Sequence, residues 1–513
     1  MSHAASPPDR AEPEVPVRLV LVAVCSVLFL ASLGQTVVST AMPAIANDLN
    51  GLDRITWLLT AYLLASTIGA PICGKLGDLF GRKVVMQGGI LVFLLGSVIA
   101  GVASDMATVI LGRGVQGFGG GGLIVVAMAV VADVLPARER GKAQALLASM
   151  FGISTVIGPL VGGFLVEQLN WHWIFFVNLP VGAVALVILA VVLKPAPPRA
   201  ARSMDYAGAG LLALTLAASV LAVNLGGTAL GWDSPALLVL MALAVLGAVG
   251  FVWAERRAED PVLPLTLFSN RNFLVVNATG FMVGIGMFGT IAFVPVYLQL
   301  VKGIGPTGSG LFLGAMVGGL LSASTLSGQA MSRTGRYRIY PILSTALLTL
   351  GMLLLATLGR ETPLWLVAVF LLIVGLGIGP VLSIGVAAVQ NSIPLSMLGV
   401  GTASTNMFRM IGGAVGTAGF GALFAAGMAR HVSALLPGTE GTAPRALTPE
   451  MVAALPPEVQ LRVQEGISAA LSPIFLAGAM LAALACLASL RMIELPLSAG
   501  GRPETEGRTA PAE

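Results

Sequence analysis

Asp78, Arg82 and Lys83 stand in one short stretch, Gly74 to Lys83 (GKLGDLFGRK), between two long apolar runs. A carboxylate that close to two cations can form an ion pair, and can release it when its surroundings move. Gly74, Gly77 and Gly81 take side chains away where backbone can then approach closely. Asp133 ends a later apolar run, on the same side by the order of the runs. Two further cations, Arg113 and Arg409, lie inside apolar runs. A charge in hydrocarbon costs roughly 2.5–3.5 kcal/mol or more, so each is a functional candidate. Gln116 follows Arg113 by three residues, on the same helix face. Arg409 sits in NMFRMIGGAVG, after Asn406 and before a glycine pair.

These groups suit gating and transport, and catalysis finds little to work with. There is no nucleophile elbow, no His-Glu-x-x-His cluster and no phosphate-binding Gly-x-x-x-x-Gly-Lys-Ser/Thr loop. The chain has 3 histidines, His3, His172 and His431. Cys25, Cys73 and Cys486 lack metal-ligand spacing and suggest no disulfide framework, so neither a metal nor a cofactor is expected. No ring of charges marks a channel. The basic residues are dispersed among loops, which excludes a nucleic-acid surface.

The elements that must hold these residues are membrane helices. Of 513 residues, 56% are hydrophobic and only 10% charged, with a net charge of +4. A soluble domain carries roughly 25% charged residues. Runs long enough to span occur at about 17–40, 56–77, 84–103, 107–134, 141–166, 173–194, 206–226, 235–254, 272–301, 308–331, 339–358, 364–391, 399–428 and 470–490. The expected fold is therefore all-α and integral to the membrane, with about fourteen helices. The first run is too long for a signal-peptide core and is expected to be retained. Lys and Arg alternate in density from loop to loop, which puts both termini in the cytoplasm. Residues 1–16 and 491–513 read as polar, disordered tails. Residues 195–271 form a linker with two helices of its own, and 429–469 an outer loop. In that loop Thr448 and Pro449 could start a short helix with Leu461, Val463 and Ile467 on its apolar side.

Gly328 to Tyr337 (GQAMSRTGRY) is a degraded copy of the first stretch: Gly74 aligns with Gly328, Gly81 with Gly335, Arg82 with Arg336, and Asp78 with Ser332. Similarity in corresponding loops of two halves points to structural repeats with a binding site between them.

Taken together the motifs resemble the major facilitator superfamily, and within it the fourteen-span drug:proton antiporters of the EmrB/QacA type, over about residues 17–490. Gly74–Lys83 resembles the loop between the family's second and third helices. Arg113, Gln116 and Gly117 resemble its fourth-helix arginine motif. Gly158, Pro159, Gly162 and Gly163 resemble its antiporter motif. Trp171 to Pro180 is similar to a segment of the subgroup, with His172 where Arg is usual. The resemblance implies two six-helix bundles, 17–194 and 272–490, that expose a site alternately to either side of a cytoplasmic membrane. It also implies that Asp78, with Arg82, Asp133 and the helix starting near Gly399, holds the inner side shut. One position departs from the pattern. The subgroup carries Asp just before Gln-Thr in its first helix; here Gly34 precedes Gln35 and Thr36.

A cavity with Arg113 and Arg409 but no central acid should favour neutral or anionic amphiphiles. Its expected lining is Gln35, Met282, Met287, Phe288, Phe293, Tyr297 and Gln299, with Gln390, Asn391 and Asn406, since methionine and aromatic side chains repack around varied ligands. The resemblance implies that the chain exports such small amphiphiles in exchange for protons, although no central proton-carrying carboxylate stands in the first helix. A dedicated exporter of one lipid or natural product is the alternative, and a membrane-embedded enzyme the different class. A periplasmic adaptor protein is left open as a partner.

Overall fold

The computed structural model describes residues 17–49, 54–55, 57–193, 204–226, 230–231, 233–432, 451–452 and 454–497. Among them are 14 helices long and apolar enough to cross a membrane. In chain order the α-helices are α1 (Val17–Thr36), α2 (Val38–Asp48), α3 (Trp57–Phe80), α4 (Arg82–Gly101), α5 (Met106–Val134), α6 (Ala137–Gln168), α7 (Trp173–Phe176) and α8 (Asn178–Val192). Then follow α9 (Tyr206–Leu225), α10 (Pro235–Glu255), α11 (Arg271–Leu300), α12 (Pro306–Thr334), α13 (Ile339–Ala356), α14 (Leu364–Ser392), α15 (Leu398–His431) and α16 (Pro457–Ser489). Helices satisfy their backbone groups internally, the requirement that lipid imposes.

Two cores organise the chain. Val24, Leu30, Tyr62, Phe93, Leu123 and Leu189 belong to one, made by α1, α3, α4, α5, α6 and α8. Val283, Tyr297, Leu348, Phe370, Ile378 and Phe475 belong to the other, made by α11 to α16. Burial ranks the helices. The most apolar window of α5 is 89% buried, whereas that of α10 is 17% buried and turns Val245, Leu246 and Val249 outward. The glycine run Gly119 to Gly122 explains the first value, because Tyr62, Ser66, Cys73, Gly89 and Phe93 of neighbouring helices occupy the space side chains would need.

Three boundaries differ from the sequence expectation. The first span is not continuous to residue 40: it breaks at Val37, and α2 carries Val38, Ala41 and Ile45 into a small core with Trp171, Ile174 and Phe175. The last span and the expected outer-loop helix are one element, α16, because Val463 and Ile467 join the core of α11 to α16 rather than a separate surface. Thr448 and Pro449 lie outside the described residues. Residues 491–497 are pinned rather than free: Asn272 exchanges two hydrogen bonds of 2.8 Å with the Ile493 backbone, and the Glu494 carboxylate accepts from the Tyr337 amide at 2.8 Å.

The two linking helices α9 and α10 pack on each other, and α9 also touches both α3 and α15. Asp205 caps α9 by accepting from the Gly208 amide at 2.8 Å.

Candidate functional site

The two halves meet along a seam where α3 faces α15 and α6 faces α12 and α14. One end of the seam gathers Arg82, Lys83, Arg138, Arg140, Arg333, Arg336 and Arg338, and is called the basic end below. Gly81 and Gly335 occupy matching places there, with φ of 90° and 71°. Only glycine adopts that backbone readily, so the residue repeated between the two copies is repeated for its conformation.

At the α3–α15 contact a Cβ on Gly74 would stand 2.9 Å from the Gly399 carbonyl oxygen and 2.9 Å from the Ala403 Cβ. The bare backbones allow this approach, and it delivers Asp78 to the N-terminus of α15. The Asp78 carboxylate accepts from the amides of Gly399 (3.1 Å) and Val400 (3.0 Å) and from Arg82 Nη2 (2.5 Å). Arg82 in turn donates from Nε to Asp133 at 3.0 Å. Asp78 is 7% exposed. A buried anion at a helix N-terminus is stabilised by the aligned amides, and by the guanidinium more strongly still. Gly77 leaves the room that the Arg82 guanidinium fills. Lys83 goes elsewhere: its ammonium bonds the Ala190 carbonyl at 2.6 Å, at the end of α8.

The second copy makes the complementary contact. Gly328 of α12 lies against the Gly141 backbone of α6, so close that a Cβ would be 2.7 Å from its oxygen. Ser332 and Arg333 offer their carbonyls to Arg138 of α6, at 2.7 Å each. An anion meets a helix N-terminus in one copy; a cation meets a helix C-terminus in the other. Arg140 adds a bond to the Gln390 carbonyl at 3.0 Å. The Gln390 amide donates to the Met128 carbonyl (3.1 Å) and to Thr402 (3.0 Å), and its oxygen accepts from Gln144 at 3.3 Å. Gln390, expected to contact substrate, therefore crosses the seam and bonds the opposite bundle. Arg138, Arg140 and Gln144 were visible in the sequence only as loop and helix polarity.

Arg113 is fully buried at the heart of the first bundle. It donates to the carbonyls of Leu58 (3.0 Å) and Gly34 (2.8 Å) and to Gln116 Oε1 (2.5 Å), with its guanidinium carbon 4.3 Å from the Tyr62 ring centre. Gln116 continues to the Ser97 hydroxyl at 2.7 Å. The network joins α1, α3, α4 and α5. Arg409 bonds Asn406, and its Nε has no partner among the described residues. It lines a crevice of about 20 Å³ with Met128, Gly280, Val381, Thr405 and Asn406. That volume suits one water molecule, so the seam is closed at this depth. A larger cavity, about 820 Å³, lies away from the seam between α1, α6 and α8, walled by Leu21, Cys25, Phe29, Met150 and Val181, with Arg18 also in its lining.

Several expected cavity residues sit elsewhere. Met287, Phe293 and Tyr297 are in the core of the second bundle, and the Tyr297 hydroxyl bonds the Gly359 carbonyl at 2.8 Å. Phe288 packs on Gly413, and Gln299 bonds the Ser309 hydroxyl at 3.0 Å. Nearly uniform apolarity around α11 hid which of its faces turns into its own bundle. Gln35 and Met282 are half-buried. Gly158 and Gly162 meet Thr36 and Thr40 of the α1–α2 junction, while Gly163 faces open space. Pro159 lies within α6.

Gly34 explains its own departure from the family pattern. A Cβ there would be 3.1 Å from Phe93 Cε2, and closer to Cζ. The ring fills the place of the missing carboxylate. Gly34→Asp alone is expected to lower the thermal midpoint of the purified protein, at an overpacking cost of about 1–3 kcal/mol. Adding Phe93→Ala should recover it, since the new carboxylate would then have room beside Arg113. A single variant melting like the parent would show that Phe93 does not hold this space.

Outside the spans, the Thr108 hydroxyl and amide hold the Asp105 carboxyl below its usual range, as expected of a helix cap.

The family model of the Major Facilitator Superfamily matches residues 24–417. The multidrug transporter protein MdtP of Bacillus subtilis (strain 168) is 40% identical over 398 residues, covering 77% of this chain and 73% of that protein. The MFS-type transporter Rv1877 of Mycobacterium tuberculosis (strain ATCC 25618 / H37Rv) is 36% identical over 472 residues, covering 92% of this chain and 69% of its own. Among solved structures, the human organic anion transporter MFSD10 superposes with a TM-score of 0.61 at 16% identity, over 91% of this chain and 99% of that one.

Proposed function

The chain belongs to the major facilitator superfamily and is a multi-pass membrane transporter rather than an enzyme, and from this premise we propose that it exports small amphiphilic compounds from the cytoplasm by alternating access, in exchange for protons. The observation that carries the proposal is the closure of one end of the seam. The cross-bundle bonds of Asp78, Arg138, Arg140 and Gln390 gather at the basic end, which the positive-inside rule assigns to the cytoplasm. A transporter shut on its cytoplasmic side must break these bonds to load. They are polar and cross between bundles that each keep their own core, so they can exchange without unfolding either half.

The multidrug name of MdtP supports efflux. The charge of the cargo is inferred from the seam. Arg409 faces it with a free Nε, and the carboxylates of Asp78 and Asp133 are engaged at the basic end. Neutral and anionic amphiphiles fit that arrangement better than permanent cations. Asp78 is then the carboxylate best placed to link proton binding to gate opening, since protonation would remove the charge that α15 and Arg82 hold.

The test uses purified protein in liposomes with an internal pH dye and an imposed proton gradient. Anionic and neutral amphiphiles should trigger proton movement, and permanent cations much less. Faster movement with cations would overturn the charge assignment. Movement of compound without proton flux would overturn the coupling.

A further inference from the structure

Lys75 is the residue of the Gly74–Lys83 stretch that neither the gate at Asp78 nor the family pattern uses here. It follows Gly74 on α3 and is 5% exposed. Its ammonium does not reach solvent but meets Asp260 Oδ1 at 2.6 Å, with side-chain exposures of 6% and 19%. Asp260 lies in the segment between α10 and α11, so the pair connects the first bundle to the linker.

That segment is built, not loose. The Glu255 carboxylate, at the end of α10, accepts from the amides of Val262 (3.1 Å) and Leu263 (3.2 Å). Those bonds fold the chain back at Asp260. Val262, Leu263 and Leu267 are buried in one cluster with Leu212 and Leu216 of α9, Phe273 of α11, Ile384 of α14, and Leu398 and Val400 of α15. The segment is thus packed mainly on the linking helices and the second bundle, in a cluster that also takes in Ala132 of α5 and the edge of α3 at Ile68 and Ile72. At its far end Asn270 bonds the Ser392 carbonyl at 2.6 Å, just before the turn that leads into α15. Meanwhile α9 packs across the seam, on α3 and on α15.

We propose that the linking helices act as a clasp on the cytoplasmic gate, with the Lys75–Asp260 ion pair joining the first bundle's gating helix to a linker segment that is packed on the second bundle. Lys75 and Asp260 are positioning residues: neither touches a transported compound, and both bias the seam toward its closed state. Opening the basic end carries α3 away from α15, and with it Lys75 from Asp260. The clasp rests on the seam being a gate, as proposed above, but not on what passes through it. Asp205 and Glu255 are the other carboxylates near the pair. Asp205 caps α9 through Oδ1, and Glu255 holds the Val262 and Leu263 amides with both of its oxygens.

The experiment measures seam opening without any substrate. Spin labels at Glu139 and Leu395, both exposed at the basic end on opposite sides of the seam, report the distance by double electron–electron resonance in a background with Cys25, Cys73 and Cys486 replaced by Ala. The parent should give one short distance. Asp260→Asn should shift the closed-to-open ratio by about tenfold, less than for a fully buried pair because the Asp260 side chain is 19% exposed and partly screened. The exchanged pair, Lys75→Asp with Asp260→Lys, should restore the short distance. Asp260→Glu, which keeps the charge, should stay near the parent and serves if Asp260→Asn does not fold. Unchanged distances in folded Asp260→Asn would overturn the clasp, as would failure of the folded exchanged pair to restore closure. Because no compound is added, an incorrect assignment of cargo or proton coupling leaves these outcomes unaffected.

Discussion

Asp78→Asn is expected to abolish transport while the protein still inserts, folds and purifies in normal yield. The carboxylate accepts from three donors, Arg82 Nη2 and the amides of Gly399 and Val400. An Asn offers one oxygen and turns an NH₂ toward the same donors, so at least one N–H faces another N–H. The negative charge opposite the start of α15 is also lost, and among the described residues Arg82 keeps Asp133 as its carboxylate partner, whose side chain is 38% exposed. Removing one member of a buried, hydrogen-bonded pair costs about 3–5 kcal/mol. Placed on the gate equilibrium, that is a factor of about 10²–10⁴ toward opening. The fold should survive, because Asp78 belongs to the seam and not to either core. Asp78→Glu should recover little. The Asp78 oxygens already stand 3.0–3.1 Å from the Gly399 and Val400 amides and 2.5 Å from Arg82 Nη2, so a side chain one methylene longer overshoots these donors. The check is efflux from cells matched for protein level, with the seam distance measured on the same variant. Parent rates in Asp78→Asn would remove the gate from the proposed mechanism.

The Asp78 cluster was legible in the sequence, and the reason is physical. Short glycine-rich charged segments between apolar runs have few structural solutions, so Gly74, Gly81, Asp78 and Arg82 could be read as a unit, and the helix near Gly399 followed from the resemblance. The alignment of Gly81 with Gly335 pairs two positive-φ backbones, a conformation that selects glycine but was not foreseen from the sequence. Spans were legible because lipid demands length and apolarity. What apolarity cannot encode is direction. A helix that is apolar all round gives no sign of which face meets lipid, its own bundle or the seam, and the expectations for Met287, Phe293 and Tyr297 failed there. Single-partner contacts between distant loops were equally hidden. Nothing in the spacing pairs Lys75 with Asp260, or Arg138 with the Ser332 and Arg333 carbonyls, because each partner lies more than a hundred residues away and is ordinary in its own surroundings.

Arg113→Lys should lose transport nearly as completely as Arg113→Gln, which separates a hydrogen-bond hub from a simple positive charge. The guanidinium reaches the Leu58 and Gly34 carbonyls and the Gln116 side chain at once, and lies over the Tyr62 ring. Its planar fork directs donors to separated acceptors, whereas a lysine ammonium is a compact point on a flexible stem. Lysine would keep the cost of a buried cation and leave part of the acceptor set unmet. Each unsatisfied buried group costs about 1–3 kcal/mol. Both variants should therefore melt earlier than the parent, because the hub fastens α1, α3, α4 and α5 within one bundle, unlike Asp78, whose loss is expected to spare the fold. Gln116→Leu should be milder, since Arg113 keeps two carbonyls and loses only the bond to Gln116, together with the link from Gln116 to Ser97. The comparison is a melting series on purified Arg113→Lys, Arg113→Gln and Gln116→Leu beside efflux in matched cells. If Arg113→Lys transports and melts like the parent, charge alone is what this position supplies, and Arg113 would return to the cavity as a group that attracts anions.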